Sequence, residues 1–112
     1  MREGRREADS TGVLWYSEGQ WPRLRALSAD ASDLEETHAE WLSVARAMVA
    51  RLRAAGENVV RVDADLDDIV AWCRAHGLPL DGESRSRYAV EKMREAAEAG
   101  KPLPELTDED LR

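Results

Sequence analysis

The chain predicts an α+β domain, mainly helical with two short strands in the order β-α-α-β-α-α. Three observations carry that prediction. Apolar residues recur at helical spacing in four separate stretches, two brief β-prone runs stand among them, and capping residues or glycines punctuate the joins. At 112 residues and 12.5 kDa there is room for one core and not for a second independent one. Hydrophobic residues make up 43% of the chain, enough for that core, while the 35% that are charged leave most helix faces solvated.

Residues 1–12 set Arg2, Arg5 and Arg6 against Glu3, Glu7 and Asp9, with Gly4 and Gly12 and no apolar periodicity, so they are expected to form a disordered tail. The domain proper is expected over 13–100. Val13, Leu14, Trp15 and Tyr16 make the first β-prone run; the alternative is a loop packed by Trp15, which would leave a mostly helical domain. Ser17 with Gln20 three residues on has the spacing of a capping box that ends a strand and begins a helix. Pro22 is tolerated at that helix start, where few amide donors have internal partners, and Trp21, Leu24 and Leu27 supply its apolar stripe. Ser28, Asp30 and Ser32 read as a turn region.

Ser32 with Glu35 predicts a second capping box. Behind it Leu34, Trp41, Ala45, Met48 and Leu52 share one face of the longest helix, a stripe that Leu42 and Val49 widen. Gly56 ends that helix in a left-handed conformation. Val59 to Val62 reads as the second strand, with Val60 and Val62 inward and Arg61 toward solvent. Asp65 with Asp68 caps a helix carrying Leu66, Ile69, Val70 and Cys73, with Arg74 in its last turn and a stop at His76, Gly77 and Pro79. Asp81 or Ser84 starts the final helix, through Tyr88, Ala89, Met93 and Ala96 to Gly100. Residues 101–112, with Pro102, Pro104 and the run Asp108, Glu109, Asp110, are expected to be an acidic tail outside the core.

Candidate chemistry is sparse. Asp63, Asp65, Asp67 and Asp68 open like a calcium loop, but Asp68 stands where the loop needs Gly and Arg74 where it needs a bidentate Glu, so helix capping accounts for them better. Glu35 and His38 have the i, i+3 spacing of carboxylate-bridged di-iron helices, yet that site needs the pair twice, and the other histidine, His76, has no Glu three residues before it. A mononuclear metal site would draw on His38, Glu35, His76 and Cys73. Cys73 beside His76 is also a candidate nucleophile, opposed by its place near a helix C-terminus and on an apolar stripe. Four tryptophans with no phenylalanine is unusual usage. Trp41 continues a core stripe, whereas Trp15, Trp21 and Trp72 are candidates for an interface or ligand face together with His76 and Cys73. No phosphate loop, dinucleotide fingerprint, nucleophile elbow, paired zinc ligands or basic aromatic stripe occurs, so no catalytic residue and no cofactor are predicted.

Lys and Arg total 16 against 23 Asp and Glu, a formal charge of -7, which disfavours direct binding to nucleic-acid phosphate or an anionic membrane surface. No stretch approaches the roughly 20 apolar residues of a membrane span, and the opening residues lack the apolar run of a secretory signal. The lone Cys73 excludes an internal disulfide and fits a reducing compartment. Alanine abundance and only two lysines, Lys92 and Lys101, point to a GC-rich bacterial genome, so a bacterial cytoplasmic protein is expected. From Trp15 to about Met93 the chain resembles small bacterial proteins of no established activity. The shared residues are Val60-Arg61-Val62-Asp63, Leu66-Asp67, Ala71-Trp72-Cys73-Arg74 and Gly77-Leu78-Pro79. That resemblance implies a stand-alone bacterial domain and no catalytic residue.

The function expected first is a protein-interaction or regulatory module, homodimeric because short strands leave open sheet edges, and binding a partner through an acidic helical surface and aromatics. The second is a small-molecule or metal-binding protein with a Trp72, Cys73, His76 and His38 pocket. The third, motivated by charge alone, is an acidic decoy that occupies a nucleic-acid-binding protein.

Overall fold

The computed structural model describes residues 10–112; residues 1–9, most of the stretch read as an N-terminal tail, lie outside the described residues. The α+β class and element order hold: β1 (Ser10–Trp15), α1 (Trp21–Leu27), α2 (His38–Ala54), β2 (Asn58–Asp63), α3 (Leu66–Ala75) and α4 (Gly82–Ala99), with single 3-10 turns at Glu18–Gln20 and Ala31–Asp33. The first β-prone run is a strand, not a loop, and it begins early enough to take Ser10, Thr11 and Gly12 out of the expected tail.

β1 and β2 pair in parallel, Ser10 opposite Asn58 and Trp15 opposite Asp63. The long connection through α1 and α2 carries the chain back to the start of the sheet, as a parallel pairing requires. Alternation along each strand sends neighbouring residues to opposite faces. Val13 and Val59 pack beneath α2 with Val49, Met48 and Leu52. Leu14 and Val62 face the other way, into a larger core with Trp21 and Leu24 of α1, Leu66, Ile69 and Cys73 of α3, and Tyr88 and Ala89 of α4. β2 is covered on both faces, and its three valines, Val59, Val60 and Val62, are all buried. Gly12 lets α4 approach, since a Cβ there would come within 2.5 Å of the Met93 sulfur.

Several sequence expectations are corrected. The long helix does not begin at a Ser32 box. Residues Ala31–Asp33 are spent in a 3-10 turn, and Thr37 caps α2, its Oγ1 accepting from the Glu40 amide at 3.1 Å while Glu40 reaches back to the Thr37 amide at 3.2 Å. Leu34 therefore packs on the core from the preceding loop. Thr37→Ala is expected to lower stability by about 1 kcal/mol and Ser32→Ala by much less, measured as urea midpoints; equal effects would refute the cap assignment. Leu27 does not complete the α1 stripe. It sits at the helix end and is 40% exposed, whereas Trp21 and Leu24 are buried. Arg61 does not face solvent: it lies half-buried beneath the α2 side of the sheet, paired at 2.8 Å with both Asp63 and Asp110.

The largest correction concerns 101–112. This segment is a strap along the outer edge of β2, not a tail. Arg61 donates its amide to the Pro104 carbonyl at 2.8 Å, and the Leu106 amide donates to Val59 at 3.1 Å. Leu106 is buried in the smaller core, and Leu111 packs against it. Arg53 holds the Leu106 carbonyl at 2.5 Å, and Arg46 holds that of Leu111. Asp108 and Asp110 of the acidic run thus serve as partners for Arg53 of α2 and Arg61 of β2.

Candidate functional site

With β2's outer edge covered, the edge left open among the described residues is that of β1. The hydrogen bonds fix which of its backbone groups are open. Ala64 donates to the Trp15 carbonyl at 3.0 Å, so Trp15 turns its amide groups toward β2, and alternation does the same for Val13 and Thr11. Gly12, Leu14 and Tyr16 consequently point theirs away from the sheet. The Tyr16 carbonyl meets the His38 imidazole Nε2 at 2.7 Å. The N–H and C=O groups of Gly12 and Leu14 have no hydrogen-bond partner among the described residues.

That edge forms the floor of a groove of about 430 Å³. Thr11, Gly12, Val13 and Leu14 line it consecutively, which only a strand seen edge-on does. One wall is the α2 face carrying Trp41, Met48 and Leu52, and the other is the α4 face carrying Arg85, Ser86 and Ala89. Trp21, Tyr16 and Leu34 close one end. The aromatic rings there interlock: Trp41 lies 4.9 Å from Trp15, 5.4 Å from Tyr16, 5.5 Å from Trp21 and 5.1 Å from the His38 ring. Such tilted and edge-on contacts make a rigid apolar end wall.

Charge in the groove is neutralised internally. Arg85 makes a two-pronged ion pair with Asp30, 3.0 Å from Nη1 to Oδ1 and 2.8 Å from Nη2 to Oδ2, and its Nη1 also donates to Ser28 Oγ at 3.2 Å. These hydrogen bonds hold the Asp30 carboxyl below its ordinary range. Tyr16 is 6% exposed, and burial pushes its hydroxyl up to about 12 against the lowering pull of Arg85. That hydroxyl has no partner among the described residues. The groove thus offers two amide donors, two carbonyl acceptors and one phenol between an apolar α2 wall and an α4 wall that carries the paired Arg85. It holds no base or nucleophile arranged for bond-breaking.

The residues singled out from sequence are scattered. His38 supports the β1 edge through Tyr16, and Glu35 precedes α2 instead of sharing a helix turn with it, offering its carbonyl to Trp21 Nε1 at 3.0 Å. Cys73 is buried in the core beneath α3, while His76 caps that helix in the open, its Nδ1 2.8 Å from the Trp72 carbonyl. No group of three or more His, Cys, Asp or Glu side chains able to hold a metal ion occurs among the described residues, so the His38, Glu35, His76 and Cys73 set does not converge. Nor do Trp72, Cys73, His76 and His38 form one pocket. Trp72 stacks on His76 with centroids 4.2 Å apart and meets Tyr88 edge-on at 5.9 Å, beside the exposed Val90. Trp21 is a core residue at the groove's end, and Trp15 braces Trp41 from the α2 side.

The aspartates of the calcium-like run go to separate partners. Asp65 caps α3 at 3.1 Å from the Asp68 amide, Asp63 and Asp67 pair with Arg61 and Arg23, and Asp68 accepts from Tyr88 at 2.5 Å and Lys92 at 3.0 Å. The α4 surface is not a single-signed acidic face, because Lys92 and Arg94 pair with Glu95 and Glu98 along the helix. No described helix is long and apolar enough to cross a membrane. Sequence reasoning anticipated open strand edges but missed Tyr16, Arg85 and Met48 as groove residues. The apolar spacing that put Met48 and Leu52 on the α2 stripe was the available signal. No family model, curated protein or solved structure matches the chain.

Proposed function

We propose that this chain is a protein-interaction module that accepts an extended polypeptide segment along the open edge of β1. The single observation behind this reading is that two backbone amides and two carbonyls, of Gly12 and Leu14, lie without a partner among the described residues on the floor of a groove. Alternating donors and acceptors at strand spacing match the backbone of another strand, and Trp41, Met48 and Leu52 of the α2 wall offer apolar contact to its side chains. Natural edge strands are blunted by Lys, Pro or a bulge, and β1, Ser-Thr-Gly-Val-Leu-Trp, carries none of these.

Amide-resolved NMR tests the reading. Addition of short extended peptides from a random library, or self-association, is expected to shift Gly12 and Leu14 first, and Met48→Lys, which sets a charge in the α2 wall, is expected to weaken that binding at least tenfold with the fold intact. If neither peptides nor a second copy perturb these amides, the module reading falls. The Tyr16 hydroxyl favours a second reading, a small apolar ligand with one hydrogen-bond acceptor. Such a ligand would quench Trp21 and Trp41 fluorescence, and Tyr16→Phe would weaken it while leaving strand binding unchanged.

A further inference from the structure

We infer that the segment seated on β1 is β1 of a second copy, antiparallel, with a two-fold axis at Val13; this rests on the strand-addition reading above. Among the registers that set outward-facing groups against outward-facing groups, the one centred at Val13 pairs the two groove-floor residues with each other. With Val13 of one copy opposite Val13 of the other, Gly12 stands opposite Leu14 in both halves of the pairing. Each such pair exchanges two N–H···O=C bonds in an antiparallel ladder. Four bonds result, and they use every open amide and carbonyl of Gly12 and Leu14 on both copies, with none left over. Shifting the register by one residue would place outward-facing groups against inward-facing ones and form none of these bonds.

Charge and burial agree with that occupant. The groove carries no net charge, since Arg85 is matched by Asp30, so it sets no unpaired charge against an incoming strand. β1 has no charged residue, and every copy presents it at the groove itself. The long-range repulsion between two chains of charge -7 is screened over about 10 Å at 0.1 M salt, so it slows association more than it weakens the seated pair. Pairing extends the sheet from two strands to four, and brings α2 beside α2 and α4 beside α4. The half-buried Met48 and Leu52 then meet their copies across the axis.

The test uses the full chain and two independent readouts. Light scattering over a concentration series is expected to show twice the 12.5 kDa mass, and hydrogen exchange on the unmodified protein is expected to slow the Gly12 and Leu14 amides at least tenfold as the dimer forms. Val13→Cys is expected to cross-link the two copies under mild oxidation, because residues directly opposite in a non-hydrogen-bonded antiparallel pair have Cα atoms about 4.5 Å apart, within disulfide reach. The wild-type chain, whose Cys73 is buried, is expected not to cross-link. A monomer at every concentration overturns the self-pairing, as does a dimer in which Gly12 and Leu14 exchange as fast as in the monomer. Should Val13→Cys fail to fold, the exchange result on the natural sequence decides. A monomer whose Gly12 and Leu14 amides still shift with an added peptide overturns the self-pairing and leaves the strand-addition module standing. If no strand of any origin perturbs them, both fall.

Discussion

Deleting residues 102–112 is expected to remove about 4 kcal/mol of stability or more, enough to leave the domain unfolded or nearly so at ambient temperature. Leu106 is 3% exposed and Leu111 packs beside it, and burying each large aliphatic side chain contributes about 2 kcal/mol. Their loss uncovers Val13, Val49 and Val59, the rest of the smaller core. It also strands the Val59 carbonyl and Arg61 amide that now pair with the strap, and takes Asp110 from Arg61. Set against a total of about 5–15 kcal/mol for a domain, that is a large share. Leu106→Ala isolates one part of it and is expected to cost about 3 kcal/mol through transfer and cavity terms. Circular dichroism across a urea titration reads both, and a deletion variant as stable as the full chain would show that the strap is not part of the folded unit. A change in the dependence on urea, not only in its midpoint, would accompany the loss of buried area.

Asp30→Ala is expected to destabilise the chain by about 2–3 kcal/mol. Breaking a buried ion pair by removing one partner costs about 3–5 kcal/mol, because the other charge is left without compensation, and the remaining exposure of this pair trims the effect. Side-chain exposure is 11% for Arg85 and 21% for Asp30. The double variant Asp30→Ala, Arg85→Met is expected to recover part of the loss, since no guanidinium is then stranded beside the groove. The pair also gives stability a pH dependence of defined sign. The folded-state Asp30 carboxyl titrates below its ordinary value of 3.8, chiefly because it accepts hydrogen bonds from Arg85. Its contribution is therefore fully present above about pH 4–5 and is lost as pH falls through the depressed folded value. Asp68 and Asp110, lowered by Tyr88 with Lys92 and by the Thr107 amide with Arg61, act in the same direction. Urea midpoints between pH 6 and pH 3 are expected to fall for the natural chain and to fall less steeply for Asp30→Ala. An equal slope in both would mean that the Asp30 pair carries no linked proton.

Much of the local structure was legible because its causes are local. Apolar residues at helical spacing marked α2, α3 and α4, Asp65 and Asp81 marked two helix starts, and Gly56, Gly77 and Gly100, all at positive φ, marked the ends. The Ser17 and Gln20 spacing also held, with the Ser17 amide donating to Gln20 Oε1 at 2.8 Å. Errors arose where two local solutions competed. Ser32 and Thr37 both offer a cap followed by Glu, and the chain settles on Thr37 because Leu34 and the Glu35 carbonyl are needed against Trp21 before the helix begins.

The sequence by itself determined the class of fold and the order of its elements, since each depends on residues close along the chain. Tertiary structure alone decided the strand direction, the fate of the acidic C-terminal residues and the position of the groove. Asp108 and Asp110 look like a solvated tail until Arg53 and Arg61, 55 and 49 residues away, are brought opposite them. Tyr16, Met48 and Arg85 are likewise unremarkable along the chain, and line one groove only because α2 and α4 pack on opposite faces of a sheet whose second edge is already covered. Periodicity records which face of an element is apolar. Which of those faces are left without a partner is settled by long-range packing, and among the described residues the β1 edge is what that packing leaves open.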